Sequence, residues 1–193
     1  VDPPRARLLT VGHGAVSAEE FLERCATARL DALVDIRTAP GSRRHPQFGR
    51  AAMAEWLPAA GITYAWERRL GGFRKPLPDS PNTALHNAAF RGYADYTRTD
   101  EFKSALTEVL SEARRRRLAV MCAETLWWRC HRRIVADVAV LIHGAEVLHI
   151  LGGACEPHRL TDSARRDGGD VLYAGAPASP RPAPARRAAR EVR

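Results

Sequence analysis

Four short apolar runs constrain this chain more than any other feature: residues 8–11 (LLTV), 32–36 (ALVDI), 118–122 (LAVMC) and 147–151 (VLHIL). Each has strand length and is apolar along its whole run rather than at alternate positions, as in a strand covered on both faces. Residues 62–66 (ITYAW) read as a further strand, and 171–173 as a short segment pairing at an edge. Helical patterns lie between the runs. Ser17 with Glu20 forms a capping box ahead of Phe21, Leu22, Cys25 and Leu30. Residues 51–60 carry Met53, Trp56 and Leu57 on one face, with Pro58 marking an early end or a kink. Residues 100–117 show the apolar stripe Phe102, Leu106, Val109 and Leu110, residues 127–142 read as one long helix, and a short helix is expected near 161–165.

Strands alternating with helices imply an α/β fold: one domain over residues 1–173, with a mainly parallel sheet of about five strands and helices on both faces in a Rossmann-like three-layer arrangement. The 193 residues, 45% hydrophobic and 27% charged, are enough for a real core and exclude wholesale disorder. No apolar run approaches the ~20 residues of a membrane span. The formal charge is +8, but half of it sits in residues 174–193, a Pro/Ala/Arg stretch expected to be disordered. Nucleic-acid binding through that basic tail is one partner expectation, and Arg114 to Arg117 either adds to it or complements the dipole of a helix C-terminus. The chain starts without a basic-then-apolar signal pattern, so a cytoplasmic setting is expected, with the four cysteines as free thiols, metal ligands or redox centres.

In a parallel sheet, ligands bind beyond the carboxyl ends of the strands. The residues to inspect are therefore Gly12-His13-Gly14, then Asp35 and Arg37, then Cys122-Ala123-Glu124. Gly12-x-Gly14 lacks the third glycine of a dinucleotide fingerprint, and there is no G-x4-G-K-[ST] loop, so no cofactor is specified. A cysteine between a buried strand and a helix start has its thiolate stabilised by free N–H groups; the competing reading is a small buried residue. The first arginine after Cys122 is Arg129, one position too far for a C-x5-R phosphatase loop. Arg129 and Arg133 share a helix face, to grip an anion or to pair with Glu124 or Asp137. Asp35 and Arg37 point the same way along an extended strand, as a buried salt bridge or as groups orienting a substrate. The segments Ser42 to Phe48 and Phe90 to Tyr93 combine arginine with aromatic residues, which suits a stacked anionic ligand such as a nucleotide.

The blocks T-V-G-H-G, L-V-D-I-R-x-x-P-x-S-R, L-G-G-x-R, F-R-G-Y-A-D-Y and M-C-A-E…W-R-C-H-R-R-I resemble the bacterial family known as domain of unknown function 488. The resemblance runs over about residues 8–165. It implies landmark positions at His13, Asp35, Arg37, Arg43, Gly71, Gly72, Arg74, Tyr93, Asp95, Tyr96, Cys122, Glu124, Cys130, His131 and Arg132, but no established reaction. Members often resemble G-H-S at the first turn, where this chain has Gly14.

Three functions are weighed on these grounds. The first is an enzyme acting on a small anionic substrate or nucleotide, with Cys122, Glu124, His131 and Asp35 as catalytic groups. His13, Arg37, Arg43, Arg74, Tyr93, Tyr96, Arg129 and Arg132 would then bind the substrate. The second is a nucleic-acid-binding or nucleic-acid-processing module. The third is a metal site of Cys122, Glu124, Cys130 and His131, against which stands their spread around a continuous helix.

Overall fold

A computed structural model describes residues 5–41 and 43–175. The tail expectation for 174–193 and the arginine-rich loop at Ser42 therefore lie, apart from residues 174, 175 and 43 onward, outside the described residues. Eight strands and five helices follow in the order β1 (Arg7–Gly12), α1 (Ala18–Thr27), β2 (Ala32–Asp35), α2 (Arg50–Ala59), β3 (Thr63–Trp66), α3 (Ala88–Tyr96), α4 (Asp100–Ala113), β4 (Leu118–Cys122), α5 (Arg132–Leu141), β5 (Glu146–Leu151), β6 (Ala154–Pro157), β7 (Ala164–Asp167) and β8 (Asp170–Tyr173). The main sheet has the order β3-β2-β4-β1-β5-β6. Its first five strands are parallel, and β6 adds antiparallel to β5. This is the expected α/β domain.

Strand parity sorts the core into two layers. Leu8, Val34, Leu118, Val120 and Val147 pack with α4 and α5 residues such as Leu106, Ile134 and Val135. The alternate positions Leu9, Val11, Leu33, Ala119 and Met121 pack with Phe21 of α1 and with Met53 and Leu57 of α2. The capping box holds as read: the Glu20 N–H donates to Ser17 Oγ at 3.1 Å. Pro58 lies inside the last turn of α2, whose geometry accommodates it.

Two expectations change. Residues 127–142 are not one helix: Trp127–Arg129 form a single 3-10 turn, Cys130 is extended, and α5 starts only at Arg132. The Trp127 ring is stacked flat on His149 of β5 at 4.1 Å, which pulls the chain off the helical path. The segment around Phe90 to Tyr93, which combines arginine with aromatic residues, lies in helix α3, capped by Asn87 Oδ1. Residues 161–165 form no helix, because Ala164–Asp167 pairs with Asp170–Tyr173 as a separate two-stranded sheet. Strand β6 carries no apolar run and went unread. No helix among the described residues is long and apolar enough to cross a membrane.

Candidate functional site

Strands β1 and β4 are neighbours, yet β1 feeds α1 on one face of the sheet and β4 feeds α5 on the other. Such a reversal opens a crevice between the two carboxyl ends. Gly12 pairs with Cys122 in register, then the His13 N–H donates to the Cys122 carbonyl and the Gly14 N–H to the Ala123 carbonyl. Gly14 has φ +55°, and a Cβ there would come within 2.2 Å of Thr125 Oγ1. A larger residue at this position is therefore strained by the backbone and meets Thr125. A cavity of about 650 Å³ lies above these loops.

Its floor is a cluster of sulfur and imidazole. Parity places Cys122 on the α5 face, and the break before α5 turns Cys130 and His131 toward it. The His131 Nδ1 lies 3.8 Å from Cys122 Sγ and 3.5 Å from Cys130 Sγ. Its Nε2 lies 3.2 Å from the Ile36 carbonyl, which only accepts, so Nε2 carries a proton and Nδ1 is the nitrogen turned to the two sulfurs. The spread around a continuous helix that counted against joint action of these residues is therefore removed. Both thiols are nearly or fully buried, at 9% and 4% exposure. The hydrogen bond that Cys122 gives Cys130, together with burial, pushes the Cys122 thiol well up. Burial also works against a Cys130 thiolate, but that hydrogen bond, His131 and the Arg132 charge outweigh it and pull Cys130 well below the usual thiol range.

Beneath the cluster Arg132 is fully buried and does not line the cavity. Its guanidinium donates to the carbonyls of Glu124 and Thr125 and to Thr10 Oγ1 at 3.2 Å. It pairs with no carboxylate among the described residues, and its Nε is unbonded. A buried chain of side chains leads onward: Thr10 Oγ1 to His149 Nδ1 at 2.7 Å, His149 Nε2 to His158 Nδ1 at 2.9 Å, and His158 Nε2 to Asp137 Oδ1 at 2.9 Å. Arg132 donates to Thr10 Oγ1 at one end of this chain and Asp137 accepts from His158 Nε2 at the other. Burial is the main reason that the His149 pKa falls to about 2.

The remaining site residues divide by place. His13 and Arg37 line the cavity, but Arg37 forks onto Asp35 with contacts of 2.6–3.1 Å and donates to the Phe48 carbonyl. Asp35 itself is fully buried away from the cavity, where Tyr64 also donates to it. His13 donates from Nδ1 to the Gly14 carbonyl, faces Arg37 through Nε2 and stacks on Phe48; burial leads in pushing its pKa to about 4. Glu124 and Arg129 are exposed on the cavity wall. Tyr93 presents its ring to His131 while its hydroxyl donates to the Leu70 carbonyl. Arg43, Arg74 and Tyr96 do not line the cavity: Arg43 is exposed, and Arg74 lies over the Tyr96 ring at 3.6 Å. The Arg114 to Arg117 run sits with Arg5 and Arg7 at the amino edge of the sheet, the end away from the cavity.

Sequence reasoning missed Thr10, Asp137, His149 and His158, and it missed Phe73. That rim residue is 93% exposed and held at φ +59°, rare for a side chain of its size. A histidine and a threonine inside otherwise apolar strand runs were the available signal.

The family model described as "Domain of unknown function DUF488" matches residues 17–139, which include the whole cavity floor. No curated protein and no solved structure matches the chain.

Proposed function

The chain belongs to the DUF488 family, and we propose that it is a cysteine-dependent enzyme whose reaction centre is the Cys122, Cys130 and His131 cluster, acting on a small ligand held in the cavity. The observation that carries this reading is the convergence of two buried sulfurs and an imidazole nitrogen on the floor of a cavity at the switch point of the sheet. Packing alone fills such a position with apolar side chains.

The chemistry is group transfer or hydrolysis at an electrophilic centre. Glu124, exposed on the wall, is placed to exchange a proton with the ligand. His13, neutral and bonded at both nitrogens, shapes the wall. The ligand is small and carries an anionic group for Arg129, whose guanidinium meets no acidic group among the described residues. Phe73 and Phe90 at the rim offer faces for a planar portion, as in a nucleotide. This replaces the wider arginine clamp expected from sequence, since Arg37 and Arg132 are engaged internally and Arg43 and Arg74 stand outside. Cysteines that are all unpaired suit a reducing, cytoplasmic setting.

A panel of activated esters, thioesters, phosphoesters and nucleotides, assayed by turnover with the purified full chain, tests the reading. Turnover of at least one class is expected to be lost in Cys122→Ser, Cys130→Ser and His131→Ala and kept in Cys25→Ala and Cys155→Ser. Activity that survives in both of the first two variants, or no turnover of any class, overturns it.

A further inference from the structure

We propose that the Cys122, Cys130 and His131 cluster is a mononuclear binding site for a thiophilic divalent cation, zinc above others, with its fourth coordination position open to the cavity. The inference rests on the reading of this cluster as the reaction centre and adds what occupies it.

Spacing is the first argument. Zn–S bonds of about 2.3 Å and Zn–N bonds of about 2.0–2.1 Å at tetrahedral angles require S···N edges of about 3.5 Å. The observed edges from Nδ1 are 3.5 and 3.8 Å, and all three ligand atoms lie within 4.8 Å of one another. The S···S edge of such a site is about 3.8 Å, so an ion takes its place once the two sulfurs, already within 4.8 Å of each other, close by at most about 1 Å. Glu124, the fourth residue of the sequence-level metal set, is not part of this group: its carboxylate accepts from the Leu126 N–H on the exposed side of the loop.

The surroundings prepare each ligand. Metal-binding imidazoles give their other N–H to a carbonyl or carboxylate, which fixes ring and tautomer. His131 does this through the Ile36 carbonyl. The Arg132 backbone N–H reaches Cys130 Sγ at 3.5 Å, a contact that supports a thiolate ligand. Space beside the free nitrogen is kept by the chain itself, because a Cβ on Gly72 would come within 3.1 Å of Nδ1. Gly72 is held there by Thr38 Oγ1, which donates to its carbonyl at 2.8 Å. These devices come from three separate segments, the one after β2, the one at Gly72 and the start of α5, and the cluster has no need of them as mere packing.

The donor set names the ion. Two thiolates and an imidazole select zinc, or iron(II) or cobalt(II) in its place, over magnesium and calcium, which take oxygen. Three protein ligands with an open position is the pattern of a catalytic site, whereas structural zinc is closed by four. The open position faces the cavity that all three residues line. A bound zinc supplies Lewis acidity toward a ligand oxygen, or a bound water that is acidic near neutral pH.

Cobalt(II) reports on the geometry directly. Full-length protein, stripped with a chelator under reducing conditions, is titrated with Co²⁺ alone, and zinc is then added as competitor. The expected result is one equivalent per chain, with sulfur-to-cobalt charge-transfer absorption and the visible bands of a tetrahedral ion, displaced by one equivalent of Zn²⁺. Cys122→Ser and Cys130→Ser each lose part of the charge-transfer intensity and the tight binding, His131→Ala loses the tight binding, and Cys155→Ser changes nothing. Far-UV circular dichroism of each variant, matched to the parent, separates ligand loss from unfolding; a variant that unfolds is replaced by Cys122→Ala or Cys130→Ala. Binding well below one equivalent, or full binding in folded Cys122→Ser and Cys130→Ser proteins, overturns the site. Cysteine-dependent turnover by protein that binds no metal sinks this inference and leaves the enzyme reading standing. One tightly bound ion in a protein without turnover does the reverse.

Discussion

Replacing Thr10 with valine keeps the shape of the side chain and removes one oxygen from the middle of the buried chain that joins Arg132 to Asp137. That oxygen accepts from Arg132 Nη1 at 3.2 Å and donates to His149 Nδ1 at 2.7 Å. Both partners are fully buried, so neither finds water in exchange. A hydrogen bond to a charged group contributes about 1.5–3 kcal/mol and a neutral one about 0.5–1.5 kcal/mol, while a stranded buried polar atom costs about 1–3 kcal/mol. These terms overlap, since most of the cost of the lost bond is the stranding of its partner, and together they give about 3 kcal/mol for Thr10→Val. In a chain of this size that lowers the thermal midpoint by about 6–12 °C. Urea unfolding with an unchanged m-value measures it. His149→Phe is the companion change, because a phenyl ring keeps the flat stack on Trp127 while dropping both ring nitrogens. The Thr10 to His149 bond can be lost only once. The double variant is therefore expected to fall short of the sum of the singles by about 1 kcal/mol, where independent sites add within about 0.5 kcal/mol. Nitrogen NMR of the parent should find a proton on His158 Nε2, the nitrogen that donates to Asp137. Additive energies, or a Thr10→Val cost below about 0.5 kcal/mol, would refute the reasoning, because the chain would then not be a connected element.

Acid should unfold this protein on the histidine side of the scale. His13 and His149 are held neutral by burial, with pKa values pushed down to about 4 and about 2, while in the unfolded chain each takes a proton near 6.5. Below pH 6.5 the unfolded state thus binds more protons, so stability rises with pH and drops on acidification by up to about 1.4 kcal/mol per unit for each group. His13 contributes this slope down to about pH 4 and His149 further; a urea midpoint that stays flat between pH 6.5 and 4.5 contradicts both burials. Gly14→Ser puts a side chain into this turn and is expected to destabilise by at least about 1–2 kcal/mol from the φ of +55° alone. It should also displace Thr125, read as altered ligand or metal binding, and an unchanged melting midpoint would show that the turn relaxes freely.

Much of the scaffold is legible in the residues because it depends on local pattern. The run at 118–122 is strand β4 to the residue, and the capping box opens α1 where Ser17 and Glu20 place it. Asp35 and Arg37 face each other as their two-residue spacing requires, and form a buried ion pair with a contact of 2.6 Å. What escaped reading depends on which strands are neighbours. Thr10 and His149 are register partners only because β5 lies beside β1, although β2, β3 and β4 come between them in the chain. Periodicity over 127–142 favours one helix, and it is a tertiary contact, Trp127 on His149, that accompanies the break and frees Cys130 to join Cys122.

That break ties the reaction centre to the buried chain. Thr10, Cys122 and His149 share a strand parity, so all three meet the residues that open α5. Three consecutive residues there take different tasks: Cys130 and His131 face the cavity, and Arg132 turns beneath it to the Glu124 and Thr125 carbonyls and to Thr10. A guanidinium with no carboxylate of its own is expensive to bury. It is tolerable here because Asp137 answers it through the buried chain of Thr10, His149 and His158. Removing the Asp137 charge should therefore be felt at the sulfurs as well as in the core. Asp137→Asn, which keeps the shape, is expected to lower the Co²⁺ affinity of the cluster as well as the urea midpoint. A fall in stability with cobalt binding untouched would show that Arg132 serves the fold alone.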